Sequence, residues 1–86
     1  MVEQTVIIGV DPGLQARPAA QFVQKANHYT AEIFIEKDQK RINAKSIMGL
    51  MSLALSKGSE IKIIVDGTDE EQALADLVSF IEGNSE

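Results

Sequence analysis

Three places in this chain carry side chains whose type and spacing could do chemistry: an arginine at the mouth of a helix, a serine ahead of an apolar run, and a single histidine. In GLQARPAA, residues 13–20, Gly13 turns the chain and Gln15 and Arg17 follow. Pro18 falls in the first helical turn, where a missing N–H costs nothing. Free backbone N–H groups beside a guanidinium make a corner able to hold an anion. No nucleophile stands between Gln15 and Arg17. In KSIMGLMSL, residues 45–53, Ser46 takes an N-cap position, where its oxygen accepts a backbone hydrogen bond that stabilises a helix by about 1 kcal/mol. Behind it Ile47, Leu50, Met51 and Ala54 share one face, leaving Met48 and Leu55 on another. A helix so short cannot bury every side, and methionine adapts readily at partner surfaces. By spacing alone, the first segment reads foremost as an ordinary helix start and the second as core packing.

The remaining candidates carry less. His28 falls at a helix end, where the last carbonyls and solvent are its natural partners. The acidic stretch Asp66-Gly67-Thr68-Asp69-Glu70-Glu71 lacks the alternating ligand ladder of a calcium loop and suits the start of a helix, where its charge meets the positive end of the dipole. Lys57-Gly58-Ser59 lacks the upstream glycine of a phosphate-binding loop. No metal site and no cofactor is expected.

The elements that must position these groups follow from periodicity. VEQTVIIGV, residues 2–10, is β-branched and stops at Asp11-Pro12-Gly13, which predicts a strand. Ala19, Phe22, Val23 and Ala26 form one stripe of a helix over 16–27. AEIFIEK, residues 31–37, alternates as a half-buried strand, and Asp38-Gln39 turns it into a short strand over 40–44. The apolar helix IMGLMSLAL follows Ser46 and is expected to end at Lys57-Gly58. SEIKIIVD, residues 59–66, alternates with Ile61, Ile63 and Val65 inward. Thr68 to Glu71 reads as a capping box ahead of the stripe Leu74, Leu77, Val78, Ile81.

The order βαββαβα predicts an α+β fold with helices covering one face of a four-stranded, mostly antiparallel sheet. Phe34 and Ile64 would point to the uncovered face, together with an isoleucine of the first strand. An uncovered apolar patch is a possible site of self-association, by pairing of that face or through the first strand.

At 86 residues and 44% hydrophobic content, the chain suffices for one core and one domain, residues 1–86. A net charge of −5 argues against direct contact with nucleic acid, which needs clustered Lys and Arg. Without cysteine there is no disulfide or thiolate metal site, which fits a reducing cytoplasm. No apolar run is long enough to span a membrane, and Glu3 stands where a signal peptide would be basic.

GLQARPAAQFVQKA and NAKSIMGLMSL, at this separation on a βαββαβα chain of this length, resemble HPr, the histidine-containing phosphocarrier family of the bacterial sugar phosphotransferase system. The resemblance covers essentially the whole chain and implies an HPr-like open-faced β-sandwich with three helices on one face. In that family the position of Gln15 holds the histidine that takes phosphate from Enzyme I and passes it to sugar-specific proteins. A neutral imidazole has a ring lone pair that attacks phosphorus and later releases the group; a carboxamide nitrogen is delocalised and does neither. His28, about 15 Å or more away along the same helix, cannot stand in for it. The resemblance therefore implies a protein that is neither an enzyme nor a member of the phosphate relay.

KSIMGLMSLALS and FVQKAN are similar to a regulatory branch of the family in Gram-positive bacteria. That branch implies phosphorylation of Ser46 by the bifunctional HPr kinase/phosphorylase. The phosphorylated form would then act as corepressor of catabolite control protein A, a LacI-type regulator, in carbon catabolite repression. Its implied contact residues are Gln15, Arg17, Ala20, Ile47, Met48 and Met51. Two other functions stay open: an unphosphorylated binding module for a metabolic enzyme, and a phosphocarrier that uses another residue.

Overall fold

A hairpin and two strand crossings build the sheet in a computed structural model that describes residues 1–83. The elements are β1 (Val2–Ile7), α1 (Ala16–Asn27), β2 (Glu32–Lys37), β3 (Lys40–Asn43), α2 (Ile47–Met51), β4 (Glu60–Asp66) and α3 (Glu70–Ile81). The strands lie in the order β1-β4-β2-β3, and every neighbouring pair is antiparallel. Asp38 and Gln39 turn β2 into β3 with positive φ at both positions, the twist a two-residue hairpin needs even without a glycine.

Register explains the two faces. Val2, Val65 and Ile33 stand in one row, Gln4, Ile63, Ile35 and Ile42 in the next, and Val6 faces Ile61. The isoleucines and valines of β2 and β4 in these rows are buried, as are Ala19, Phe22 and Ala26 of α1 and Ala73, Leu77, Val78, Phe80 and Ile81 of α3. The Phe22 and Phe80 rings meet at 6.2 Å between centroids, and α2 adds Leu50 to the same core.

On the opposite face Glu3, Ile64, Phe34 and Asn43 form one row, and Thr5, Lys62, Glu36 and Arg41 another. Ile64 and Phe34 do point outward as expected, yet Ile64 is only 3% exposed. Charged neighbours cover this face: Lys62 pairs with Glu3 at 3.7 Å, Arg41 pairs with Glu36 at 3.2 Å, and the Arg41 guanidinium lies 5.8 Å from the centre of the Phe34 ring. The exposed apolar side chain left over is Ile7, at the end of the edge strand β1.

Four expectations shift. β1 ends at Ile7 rather than Val10, because Gly9 and Val10 turn their N–H groups to the Ile81 carbonyl at the end of α3. α2 stops at Met51 rather than running to Leu55. Ser52 closes it by giving its N–H to the Met48 and Gly49 carbonyls and its hydroxyl to Gly49 at 2.6 Å. Gly58 is therefore not a helix terminus; it turns the chain into β4 with φ 94° and gives its N–H to Ile8. The capping box of Thr68 and Glu71 does not form. Asp69 is the N-cap residue, its carboxylate accepts from the Thr30 and Ala31 N–H groups, and Glu70 reaches back to the Gly67 N–H.

Candidate functional site

Gln15 is the N-cap residue of α1 in extended conformation, and its side chain makes no capping hydrogen bond. The carboxamide is exposed, as are Arg17 and, one turn on, Ala20. Ala16 follows with φ 54°, a left-handed conformation that costs a non-glycine residue about 1 kcal/mol. The corner is held by backbone ties to the segment after α2. Leu14 gives its N–H to the Leu55 carbonyl, Gly13 and Ser56 form a bridge, and Lys57 gives its N–H to Pro12. Gly13 has φ 119°, and any Cβ there would overlap the Leu55 carbonyl, so only glycine fits this approach.

Ser46 is the N-cap of α2, as its spacing predicts: its Oγ accepts from the Gly49 N–H at 3.1 Å. Gly49 lets this short helix sit close to the end of β3, where an added Cβ would crowd the Asn43 carbonyl at 3.3 Å. Leu50 points into the core. Ile47, Met48 and Met51 remain 41%, 80% and 60% exposed, so three of the five large exposed apolar side chains among the described residues form one patch behind Ser46.

The two segments are neighbours without forming a single pocket. α1 and α2 pack against each other, but in opposed directions along the chain. Lys45, at the entrance to α2, donates from its Nζ to the Tyr29 carbonyl beyond the C-terminal end of α1, whereas the segment leaving α2 is tied to the entrance of α1. Ser46 and Gln15 thus stand toward two ends of one surface. His28 is the C-cap of α1, giving its backbone N–H to the Lys25 carbonyl while the Tyr29 N–H takes that of Ala26, and lies a whole helix away from Gln15.

Sequence reasoning missed the residues that brace Ser46. Tyr29 Oη donates to Asp76 at 2.7 Å, and Lys25 reaches the same carboxylate at 3.4 Å. The carboxylate partner, and then partial burial, push the Tyr29 hydroxyl up to about 12. With Lys45 on the Tyr29 carbonyl, this links the start of α2 to α3. No local pattern announces bonds that span 16 and 47 residues.

A concavity of about 470 Å³ is lined by residues 67–72 at the start of α3, and by none of the Gln15 or Ser46 segments. Among the described residues no group of three or more His, Cys, Asp or Glu could hold a metal, and no helix is long and apolar enough to cross a membrane.

A βαββαβα chain with three helices on one side of an antiparallel sheet, and with its two special segments at the starts of α1 and α2, has the HPr fold. The chain belongs to the HPr family: the family described as "PTS HPr component phosphorylation site" matches residues 2–83. Within it, the chain is 61% identical to HPr-like protein Crh of Halalkalibacterium halodurans over 95% of this chain and 98% of that one. It is 55% identical to HPr-like protein Crh of Bacillus subtilis, over 95% of this chain and 96% of that one. A crystal structure of the B. subtilis protein, described as a catabolite repression protein with a swapped domain in a dimer, matches with a TM-score of 0.80 at 52% identity, covering 100% and 99% of the two chains. Phosphocarrier protein HPr of Bacillus anthracis matches with a TM-score of 0.91 at 55% identity, covering 93% and 95%.

Proposed function

We propose that this chain is a non-catalytic regulatory HPr-like protein of carbon catabolite repression. An HPr kinase/phosphorylase phosphorylates Ser46, and the phosphoprotein is the corepressor of catabolite control protein A. The observation that carries this reading is the Ser46 segment, a half-exposed cap hydroxyl followed by the exposed patch of Ile47, Met48 and Met51. As a cap, Ser46 uses an oxygen lone pair and leaves its own proton free, so a kinase base can take that proton while Oγ attacks phosphorus. The resulting dianion, roughly −1.5 to −2 charges, sits at the positive end of α2, so the fold tolerates it. The new information is the charge itself. A basic group on the regulator reads it beside the apolar patch, with Gln15, Arg17 and Ala20 as further contacts.

Gln15 supports the same reading from the other end of the surface. It stands where the phosphocarrier members of the family hold their histidine, and its carboxamide cannot relay phosphate. The likeness to the B. subtilis Crh structure, described as that of a catabolite repression protein, supplies the catabolite-repression context. Titration of the regulator with Ser46-phosphorylated protein, and with Ser46→Ala after the same kinase treatment, tests the proposal. Tighter binding of the phosphoprotein is expected, and equal affinities would sink it.

Self-association is a second property of this reading, favoured by the swapped dimer of the B. subtilis relative. β1 is an edge strand paired to β4 alone, so two copies could exchange it and keep every β1–β4 contact.

A further inference from the structure

We propose that Met48 and Met51 form a peroxide-sensitive modification site whose oxidation releases the regulator while Ser46 stays phosphorylated. The inference rests on the proposed function and extends it. Both thioethers stand open to solvent, 80% and 60% exposed. They lie three residues apart on a helix of five, and although apolar spacing groups Met51 with Leu50, Leu50 is buried while Met48 and Met51 both stand on the exposed side directly behind Ser46. Neither contributes to the hydrophobic core, where α2 is represented by Leu50 alone. Oxidation can therefore change the surface without opening the fold.

The chemistry needs only a hydroperoxide. A sulfur lone pair attacks one peroxide oxygen and forms the S–O bond as the O–O bond breaks. With hydrogen peroxide, the second oxygen leaves as water with both protons, so the sulfur loses two electrons and the peroxide gains them. The product is a methionine sulfoxide, a polar and hydrogen-bonding group where a soft apolar one had been. A partner surface that desolvates the thioethers must now desolvate two sulfoxide dipoles without partners in place, which opposes binding. The phosphoserine is untouched, so the chain would carry two independent signals on one patch, and the oxidative one is reversible by methionine sulfoxide reductases.

The test uses the full chain phosphorylated on Ser46. It is treated with hydrogen peroxide, freed of the oxidant and titrated into catabolite control protein A, with the sulfoxides at residues 48 and 51 located by peptide mass spectrometry. Expected are oxidation at both positions, an unchanged thermal midpoint, and a loss of affinity of about tenfold or more that is recovered after treatment with the two sulfoxide reductases. Met1, also exposed at 75% but outside α2, is the internal control: oxidation confined to it should leave affinity unchanged. The variant Met48→Leu/Met51→Leu, compared only with itself before and after peroxide, should show no change. Equal affinity of oxidised and reduced wild-type phosphoprotein would overturn this proposal alone. If the reduced phosphoprotein does not bind the regulator at all, both it and the proposed function fall.

Discussion

Gln15 and Ser46 occupy the same kind of position, the N-cap of a helix, and the structure uses them differently. Ser46 makes its capping bond to Gly49, whereas Gln15 caps nothing and presents its carboxamide to solvent. For Ser46→Ala, the lost cap is expected to cost about 1 kcal/mol, read as a lower urea midpoint, together with complete loss of kinase-dependent phosphate. For Gln15→His the expectation is a gain. An imidazole at that exposed cap, beside Arg17, should accept phosphate at least in part from Enzyme I and phosphoenolpyruvate, giving an acid-labile, base-stable label that wild-type protein lacks. Label on the wild-type chain would instead revive the phosphocarrier reading through another residue. No uptake by the variant would mean that the docking surface, and not the nucleophile alone, has diverged.

At the scale of elements, long periodic stretches were legible and tertiary ties were not. α1 occupies the residues its stripe predicts, and Ile61, Ile63 and Val65 of β4 face inward as their alternation requires. α2 is shorter than its apolar run because Leu53 and Leu55 serve other ends: Leu55 packs into the core while its carbonyl holds Leu14. Ser46 was legible as a cap because capping is local; Lys45 and Tyr29 were not, because their partners lie far away in sequence. The close approach of Gly13 to Leu55 fixes the Gln15 corner, and Gly13→Ala should therefore destabilise the fold by about 2 kcal/mol or more, measured by chemical unfolding. The start of α3 predicts an acid dependence. Asp69 is held below the ordinary carboxylate range chiefly by the Thr30 N–H, and Glu70 chiefly by the Gly67 N–H and then by the Met1 ammonium. Both folded-state values are depressed, so their stabilisation is full above the ordinary values of 3.8 and 4.5 and is lost as pH falls through the lower folded ones. Unfolding midpoints followed into acid should drop in that window, and less steeply in Asp69→Asn.

For the whole molecule, charge and edges decide what it can meet. With a net charge of −5 it should not hold DNA by itself, so the corepressor role proposed above requires a partner protein that does. The proposed self-association would run through β1. The sheet's outer face is lined by the Lys62–Glu3 and Arg41–Glu36 pairs, which do not favour face-to-face packing of two copies, whereas β1 has an unpaired edge and a connection that could serve as a hinge. Residues 8–10 leave β1 with their N–H groups on Ser59 and Ile81, and Gly9 approaches Glu82 so closely that a Cβ would overlap its carbonyl. Exchange of β1 must break these bonds and the β1–β4 ladder before remaking the ladder in the other copy. The dimer is thus expected to differ little in contacts from the monomer and to be separated from it by a high barrier. Size exclusion with light scattering should show two species whose ratio depends on the concentration at which the sample was held, with slow re-equilibration after dilution. A cysteine pair at Thr5→Cys and Lys62→Cys, facing each other across β1 and β4, would then link two chains in the dimer fraction and close within one chain in the monomer fraction. A single species at every concentration, or crosslinks only within one chain, would remove strand exchange from this protein.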